Sequence, residues 1–387
     1  MKFGTIFELQ PGPQPYGKDR VPRVWHEALE QSILCEELGF DYVWSVEHHF
    51  LGDYSSSSAP EVFLAWVAAN TKRIRIAQGV ALALKDVNHA WRMAERGAAL
   101  DIISNGRYDF GAGRSITKQE LIGFGVDPAQ SRKMQLETLD VLPRMWTEET
   151  FSWDGEYYKL PERQLAVRPV QGPHPPMWLA CSQPDSWRLA GERGLGVLSF
   201  GVGDPTLLAE AMANYDAGLA RATPPGGVVN RNIAAAPLFY CAETDVEALK
   251  VATPNVEFFI GNTLNFVRQW ADEPAVEYKF YKELLTRGEG QTLVPGTASA
   301  RPVNLPGLSE DEAAIAGLVQ TGRFVIGSPE TCREAVRKYV DAGFDQLILS
   351  SQFGSLTNEQ IQRSLRLFHE EVMPEFVDKV EVVQTGA

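Results

Sequence analysis

The chain has 387 residues, 44% of them hydrophobic, and carries 36 basic against 50 acidic side chains, a formal net charge of −14 at pH 7. That length buries a large core, as one big α/β barrel or as two ordinary domains, while an acidic balance without a basic patch argues against nucleic acid and anionic membrane as partners. No apolar run approaches a membrane span, Met1-Lys-Phe-Gly-Thr-Ile-Phe7 reads as a strand, and Cys35, Cys181, Cys241 and Cys332 lack zinc or disulfide spacing, so a soluble, unprocessed, cytoplasmic protein is expected.

Lys2 to Phe7 opens the chain as a strand, Arg23 to Leu38 follows as a helix with Val24, Ala28, Cys35 and Leu38 on one face, and Asp41 to Ser45 is the next strand. Further strands are expected at Arg73 to Val80, Arg107 to Phe110, Pro176 to Ala180, Gly196 to Ser199, Ile233 to Tyr240 and Gln346 to Ser350. A helix-period stretch from His89 to Asp101 and a tight turn at Ser104-Asn-Gly-Arg107 lead into the Arg107 strand. One joint recurs: Leu38-Gly39-Phe40-Asp41, Ala342-Gly343-Phe344-Asp345 and, more weakly, Arg193-Gly194-Leu195, where glycine takes the left-handed C′ position and ends a helix ahead of a buried strand.

Eight strands, most followed by helix, predict a (β/α)8 TIM barrel as a single domain over 1–387. Two interruptions stand out. Phe151-Ser-Trp-Asp-Gly155-Glu-Tyr-Tyr158 reads as a hairpin with an Asp-Gly turn, and the region of about 251–322, aromatic and then Pro/Gly-rich, is either a lid over the barrel mouth or a poorly ordered insertion.

In such a barrel the chemistry sits at the C-terminal ends of the strands. Glu47-His48-His49-Phe50 ends the second strand; adjacent histidines in extended chain point to opposite sides, which disfavours a shared metal, and no metal is expected. His48 reads either as a proton donor or acceptor or as a structural brace, and His89 as an anchor of its helix entry. Gly111-Ala-Gly113-Arg114 brings a cation on a glycine-rich loop, suited to a phosphate, without the third glycine of a dinucleotide fingerprint. Ser182-Gln-Pro-Asp185 has the pattern of a helix N-terminus capped by Ser182, a natural phosphate seat, although Asp185 would compete with an anion for the same field.

These pieces resemble the bacterial luciferase-like flavin monooxygenases: Gly39-Phe-Asp-Tyr-Val-Trp44, Glu47-His-His-Phe50, His89 to Glu95, Ser104 to Arg107, Phe110 to Arg114, Ser131-Arg132, Val325-Ile-Gly-Ser-Pro-Glu330 and Val372-Met-Pro374, in order over nearly the whole chain. The resemblance implies a luciferase-like barrel that takes reduced FMN from a separate flavin reductase and oxygenates an organic substrate with O2 by way of a C4a-peroxyflavin. It implies His48 as the active-site histidine, Arg114 and Arg132 as phosphate ligands beside Ser115, Cys181, Ser182 and Ser186, and Ala81-Leu82 as the place of a non-prolyl cis peptide under the flavin ring. Gly113 stands where luciferase has a cysteine, which argues against light emission, and Ser115 replaces a glycine. Phe7, Trp44, Phe50 and Phe200 suit a small nonpolar substrate, and Val62-Phe-Leu-Ala-Trp66 supplies a helix for the homodimer common in the family. Relatives on the same barrel imply a deazaflavin-dependent reductase as the rival reading, and a flavin carrier without catalysis is the other.

Overall fold

The computed structural model describes residues 1–200, 204–274, 303 and 306–377. Strand β1 (Lys2–Phe7) pairs in parallel with β2 (Tyr42–Ser45) on one side and with β13 (Gln346–Leu349) on the other, so the two ends of the chain meet in one sheet. The ladder continues from β2 through β3 (Arg75–Gln78), β5 (Tyr108–Gly113), β8 (Met177–Ala180), β9 (Gly196–Phe200) and β10 (Ile233–Ala236) back to β13, closing an eight-stranded parallel barrel. Each of the eight expected strands supplies one stave. A two-residue strand β4 (Ala81–Leu82) adds to the upper end of β5, opposite Ala112 and Gly113.

The alternation of a strand explains what fills the barrel. Ile6, Trp44, Ala77, Trp178, Leu198, Ala234 and Ile348 point inward as one buried cluster, and Val80, Phe200 and Ala236 lie against it only partly buried. The opposite faces of the strands pack beneath the surrounding helices; on α1 (Arg20–Glu37), Val24, Ala28 and Cys35 are buried as the helical period predicts. Gly39, Gly194 and Gly343 all take positive φ, at 79°, 68° and 91°, which is the left-handed turn each helix-to-strand joint needs.

Several expectations are corrected. The stretch Ile233 to Tyr240 is two strands: β10 stays in the barrel, Pro237 has no N–H to continue the ladder, and β11 (Phe239–Cys241) leaves to pair with β12 (Val325–Gly327). Of the stretch expected as a lid or a poorly ordered insertion, the described residues from Val251 to Arg268 continue a helix, α8 (Asp245–Arg268), and Glu310–Gln320 forms another, α9. The central part of the expected insertion lies outside the described residues. The hairpin is present as β6 (Phe151–Asp154) and β7 (Lys159–Arg163).

Candidate active site

Glu47 leaves β2 into the barrel mouth and is almost completely buried. Its carboxylate accepts the Leu82 N–H at 2.7 Å and the Asn88 amide at 2.8 and 3.1 Å, and lies 3.1 Å from His49 Nε2. Glu47 thereby holds β4 at the end of β5. The cis peptide expected at Ala81-Leu82 falls instead at Gly79-Val80, because Ala81 and Leu82 are engaged in the parallel ladder. Val80 packs on Gly113: a Cβ built there would lie 2.1 Å from Val80 Cγ2, so a cysteine or any other side chain at that position would force Val80 to shift.

His48 and His49 do diverge. His49 turns to Glu47, and His48 turns to a carboxylate that sequence reasoning missed. Glu120, on α4 (Lys118–Gly123), accepts His48 Nδ1–H at 3.0 Å, the His49 N–H at 2.8 Å, the Thr117 hydroxyl at 2.7 Å and the Ser115 hydroxyl at 2.5 Å. Four donors satisfy both oxygens of a buried charge. Across the ring, His48 Nε2 lies 3.7 Å from Oε2 of Glu8, the residue that follows β1, while the Tyr54 hydroxyl donates to Glu8 Oε1 at 3.4 Å.

The charges follow from this geometry. Burial by itself would push the His48 imidazole down, but the Glu120 carboxylate, with Glu8 and Glu47 behind it, holds it up at about 9. Burial would push Glu120 up, yet His48 and the surrounding donors bring it down to about 2. Glu8 is pushed up to about 7 by burial, against the pull of His48.

Glu8 had a signal in the sequence, since it occupies the C-terminal end of a barrel strand as Glu47 does. Glu120 had a weaker one, because Thr117-Lys-Gln-Glu120 also reads as a plain helix start, and Thr117 does cap α4.

The other side of the mouth gathers cations. Arg114 follows β5 directly and donates to the Ser131 hydroxyl at 3.3 Å, where α5 (Ser131–Thr147) begins. Arg132 is the next residue of α5, close enough to Cys181 at the end of β8 to lower its thiol, although burial dominates and pushes that thiol up to about 12. Cys181 is buried and donates to the Leu179 and Ser186 carbonyls, so it is part of the wall. Ser115 takes φ +72°, a turn that sends consecutive side chains different ways: Arg114 to Ser131 and Ser115 to Glu120. Ser182 is exposed and is not the cap of α6 (Pro184–Glu192). Gln183 is the N-cap, extended ahead of Pro184 at the first helical position, and the Ser186 hydroxyl closes that end by accepting the Gln183 N–H at 3.2 Å.

Of the aromatics, Phe7 and Trp44 are core, Phe50 is exposed against Phe124 on the outer surface, and Phe200 lies at the top of the barrel interior. His89 caps its helix, accepting the Trp91 N–H. The carboxyl-terminal half of α8 packs on the loops after β2 and β5: Phe259 and Phe266 flank the Tyr54 ring at centroid distances of 5.3 and 5.0 Å, and Trp270 Nε1 donates to the Ile116 carbonyl at 2.8 Å. Among the described residues no helix is long and apolar enough to cross a membrane, and no cluster of three or more His, Cys, Asp or Glu side chains is placed to hold a metal.

A closed parallel barrel with a buried Glu–His–Glu cluster at one mouth places the chain among the (β/α)8 barrels. The model of the luciferase-like monooxygenases matches residues 1–346, and the chain belongs to that family. It is 27% identical over 369 residues to 4-hydroxyprotoasukamycin monooxygenase of Streptomyces nodosus subsp. asukaensis, covering 94% of this chain and 89% of that protein. To limonene 1,2-monooxygenase of Rhodococcus erythropolis it is 26% identical, covering 91% and 81%. An F420-dependent glucose-6-phosphate dehydrogenase of Kineococcus radiotolerans is also 26% identical, covering 89% and 90%.

The barrel superposes on monooxygenase RslO1 of Streptomyces bottropensis with a TM-score of 0.75 at 24% identity, covering 97% of this chain and 100% of the other. On the oxygenating constituent of Pseudomonas putida 3,6-diketocamphane monooxygenase, solved with FMN, it superposes at 0.71 and 21%, covering 97% and 99%. These likenesses establish the luciferase-like fold.

Proposed function

We propose that this protein is the oxygenase component of a two-component system: it takes reduced FMN from a separate flavin reductase and uses O2 to oxygenate a small nonpolar organic substrate, as a cytoplasmic homodimer. The observation that carries the reading is the pairing, in one barrel mouth, of a cation end suited to a phosphate with a histidine held charged by carboxylates.

The donor set fits FMN. Arg114 and Arg132 would bring two guanidinium groups to a phosphate dianion, beside Ser131, whose hydroxyl accepts from Arg114 and donates to the Pro128 carbonyl. Val80, packed on Gly113, and β4 form the adjoining floor, with Phe200 an apolar surface at the top of the interior. Reduced flavin supplies the electrons that activate O2. The rest falls to the protein. At pH 7 an imidazole held near 9 is protonated, so His48 donates a proton from Nε2 while Glu120 fixes the ring through Nδ1. A proton donor favours delivery of electrophilic oxygen over nucleophilic attack on a carbonyl. The covering of the β2 and β5 loops by α8 supports a role in keeping water from the mouth.

Monooxygenase relatives over nine-tenths of the chain support the reading, as does the FMN complex on the same fold. The homodimer draws support from Val62, 61% exposed on α2 (Pro60–Asn70), and from the exposed Ile102 and Ile103 on neighbouring α3 (Ala90–Ile103), whereas Phe63 and Leu64 pack on the barrel. The F420-dependent relative carries the alternative, hydride transfer without oxygen. Titrating the protein anaerobically with reduced FMN and with reduced F420, then admitting O2 and following absorbance, separates the two. Tight binding of FMN and its reoxidation on the protein are expected; binding of F420 alone, with no response to oxygen, would overturn the assignment.

A further inference from the structure

Glu8 is placed against the one ring nitrogen of His48 that Glu120 leaves open. Its Oε1 accepts the Tyr54 hydroxyl. Its Oε2 is buried with no hydrogen-bond partner among the described residues and lies 3.7 Å from His48 Nε2. A buried carboxylate oxygen without a donor is unfavourable when ionised and is relieved when it carries a proton or receives one. Among the described residues the only cation facing it is His48; Glu120 from α4 and Tyr54 from the β2 loop are its other titratable neighbours, and His48 itself faces Glu120, Glu8 and Glu47.

We propose that Glu8 is the proton reserve of His48, a positioning residue that acts through the imidazole and never on the substrate. When His48 gives its Nε2 proton to oxygen, the neutral ring presents a lone pair to Oε2. The protonated Glu8 carboxyl transfers its proton there, leaving a carboxylate beside a restored imidazolium, and solvent later reprotonates Glu8. No electrons move, and the charge of the pair is conserved in the transfer. Burial holds Glu8 near 7, so at neutral pH a useful fraction of the carboxyl carries the proton this step needs. Tyr54 ties the reserve to α8, since its ring packs on Phe259 and Phe266.

This inference rests on His48 being the proton donor of the proposed oxygenase, but its coupling to Glu8 is measurable without turnover. In the full-length, ligand-free protein, NMR titration of the Glu8 carboxyl carbon and the His48 ring should show Glu8 titrating near pH 7, with a step of the same midpoint in the His48 signals. In Glu8→Gln that step should vanish and the His48 midpoint should fall by roughly one pH unit, as expected for loss of one nearby opposite charge. In turnover with reduced FMN, the same variant should bind flavin normally, keep its KM, lose about tenfold in kcat, and show its alkaline limb shifted down by the same unit. A wild-type Glu8 that titrates in the ordinary carboxylate range with no His48 step overturns the proposal, whether or not the variant folds. If the titrations couple as stated but no oxygenated product forms with FMN, the proton pair stands and the oxygenase reading fails.

Discussion

Replacing Glu120 by Gln removes the charge that holds His48 and keeps nearly the same shape. One amide oxygen can still accept the His48 Nδ1–H and the His49 N–H, and the Ser115 and Thr117 hydroxyls can rotate toward the amide nitrogen. Raising an imidazole from 6.5 to about 9 corresponds to roughly 3 kcal/mol of preference for the charged form. The depression of Glu120 from 4.5 to about 2 is the same attraction seen from its partner and is not added to it. A group whose folded pKa is raised stabilises fully below its unfolded value, and that contribution is lost as pH climbs through the folded one.

The His48 term is therefore complete below about pH 6.5 and gone above about 9. The Glu120 term holds above about 4.5 and is lost as pH falls through about 2. Glu8, raised by burial, adds stability below about 4.5 that fades as pH rises through about 7. Chemical denaturation of wild type and Glu120→Gln at pH 6 and pH 10 should show the variant losing about 3 kcal/mol more at pH 6 than at pH 10. Its His48 should titrate at or below 6.5, because burial is then weakly opposed. Equal losses at both pH values, with an unmoved His48 midpoint, would refute the reasoning.

Arg114→Ala should weaken reduced FMN by about 1.5–3 kcal/mol, roughly 10- to 100-fold, and riboflavin hardly at all, by fluorescence or calorimetric titration; equal losses would take Arg114 out of the phosphate site. Gly113→Ala should lower stability by about 1–3 kcal/mol through its collision with Val80 and recover part of that in combination with Val80→Ala, measured by thermal denaturation. Light scattering at micromolar concentration should give twice the chain mass, and Val62→Asp should reduce it to that of the monomer, because Val62 stands exposed on α2 without supporting the barrel.

The barrel was legible because its signals are local. Alternating strands, amphipathic helices and the glycine at each helix-to-strand joint depend on neighbours in sequence, and Gly39, Gly194 and Gly343 behave as that pattern requires. Strand β12, only three residues long, has too few residues for a period to show, and β11 was hidden because the apolar run from Ile233 crosses Pro237 without a break in composition.

His48 and Arg114 stood out because each sits at the end of a barrel strand, where the chemistry of such a barrel lies, whereas Arg132, on the first turn of α5, came only from the family resemblance. Glu8 and Glu120 did not stand out, since what distinguishes them is a meeting across 112 residues of chain, brought about only when β1, β2 and the loop after β5 close around one mouth. Ser115 was expected on the phosphate side; its positive φ, invisible in the sequence, turns its hydroxyl to Glu120 instead.

Simultaneous measurement of oxygenated product and hydrogen peroxide in His48→Gln, supplied with reduced FMN, O2 and substrate, tests the central claim most directly. Glutamine keeps much of the size and hydrogen-bonding capacity of the ring but cannot serve as its acid. The variant should fold, bind reduced FMN as the wild type does and consume oxygen, while product falls by roughly 10²–10⁴-fold and the oxygen appears as hydrogen peroxide. Undiminished product with no excess peroxide in that folded, flavin-binding variant would contradict the assignment of His48 as the proton donor.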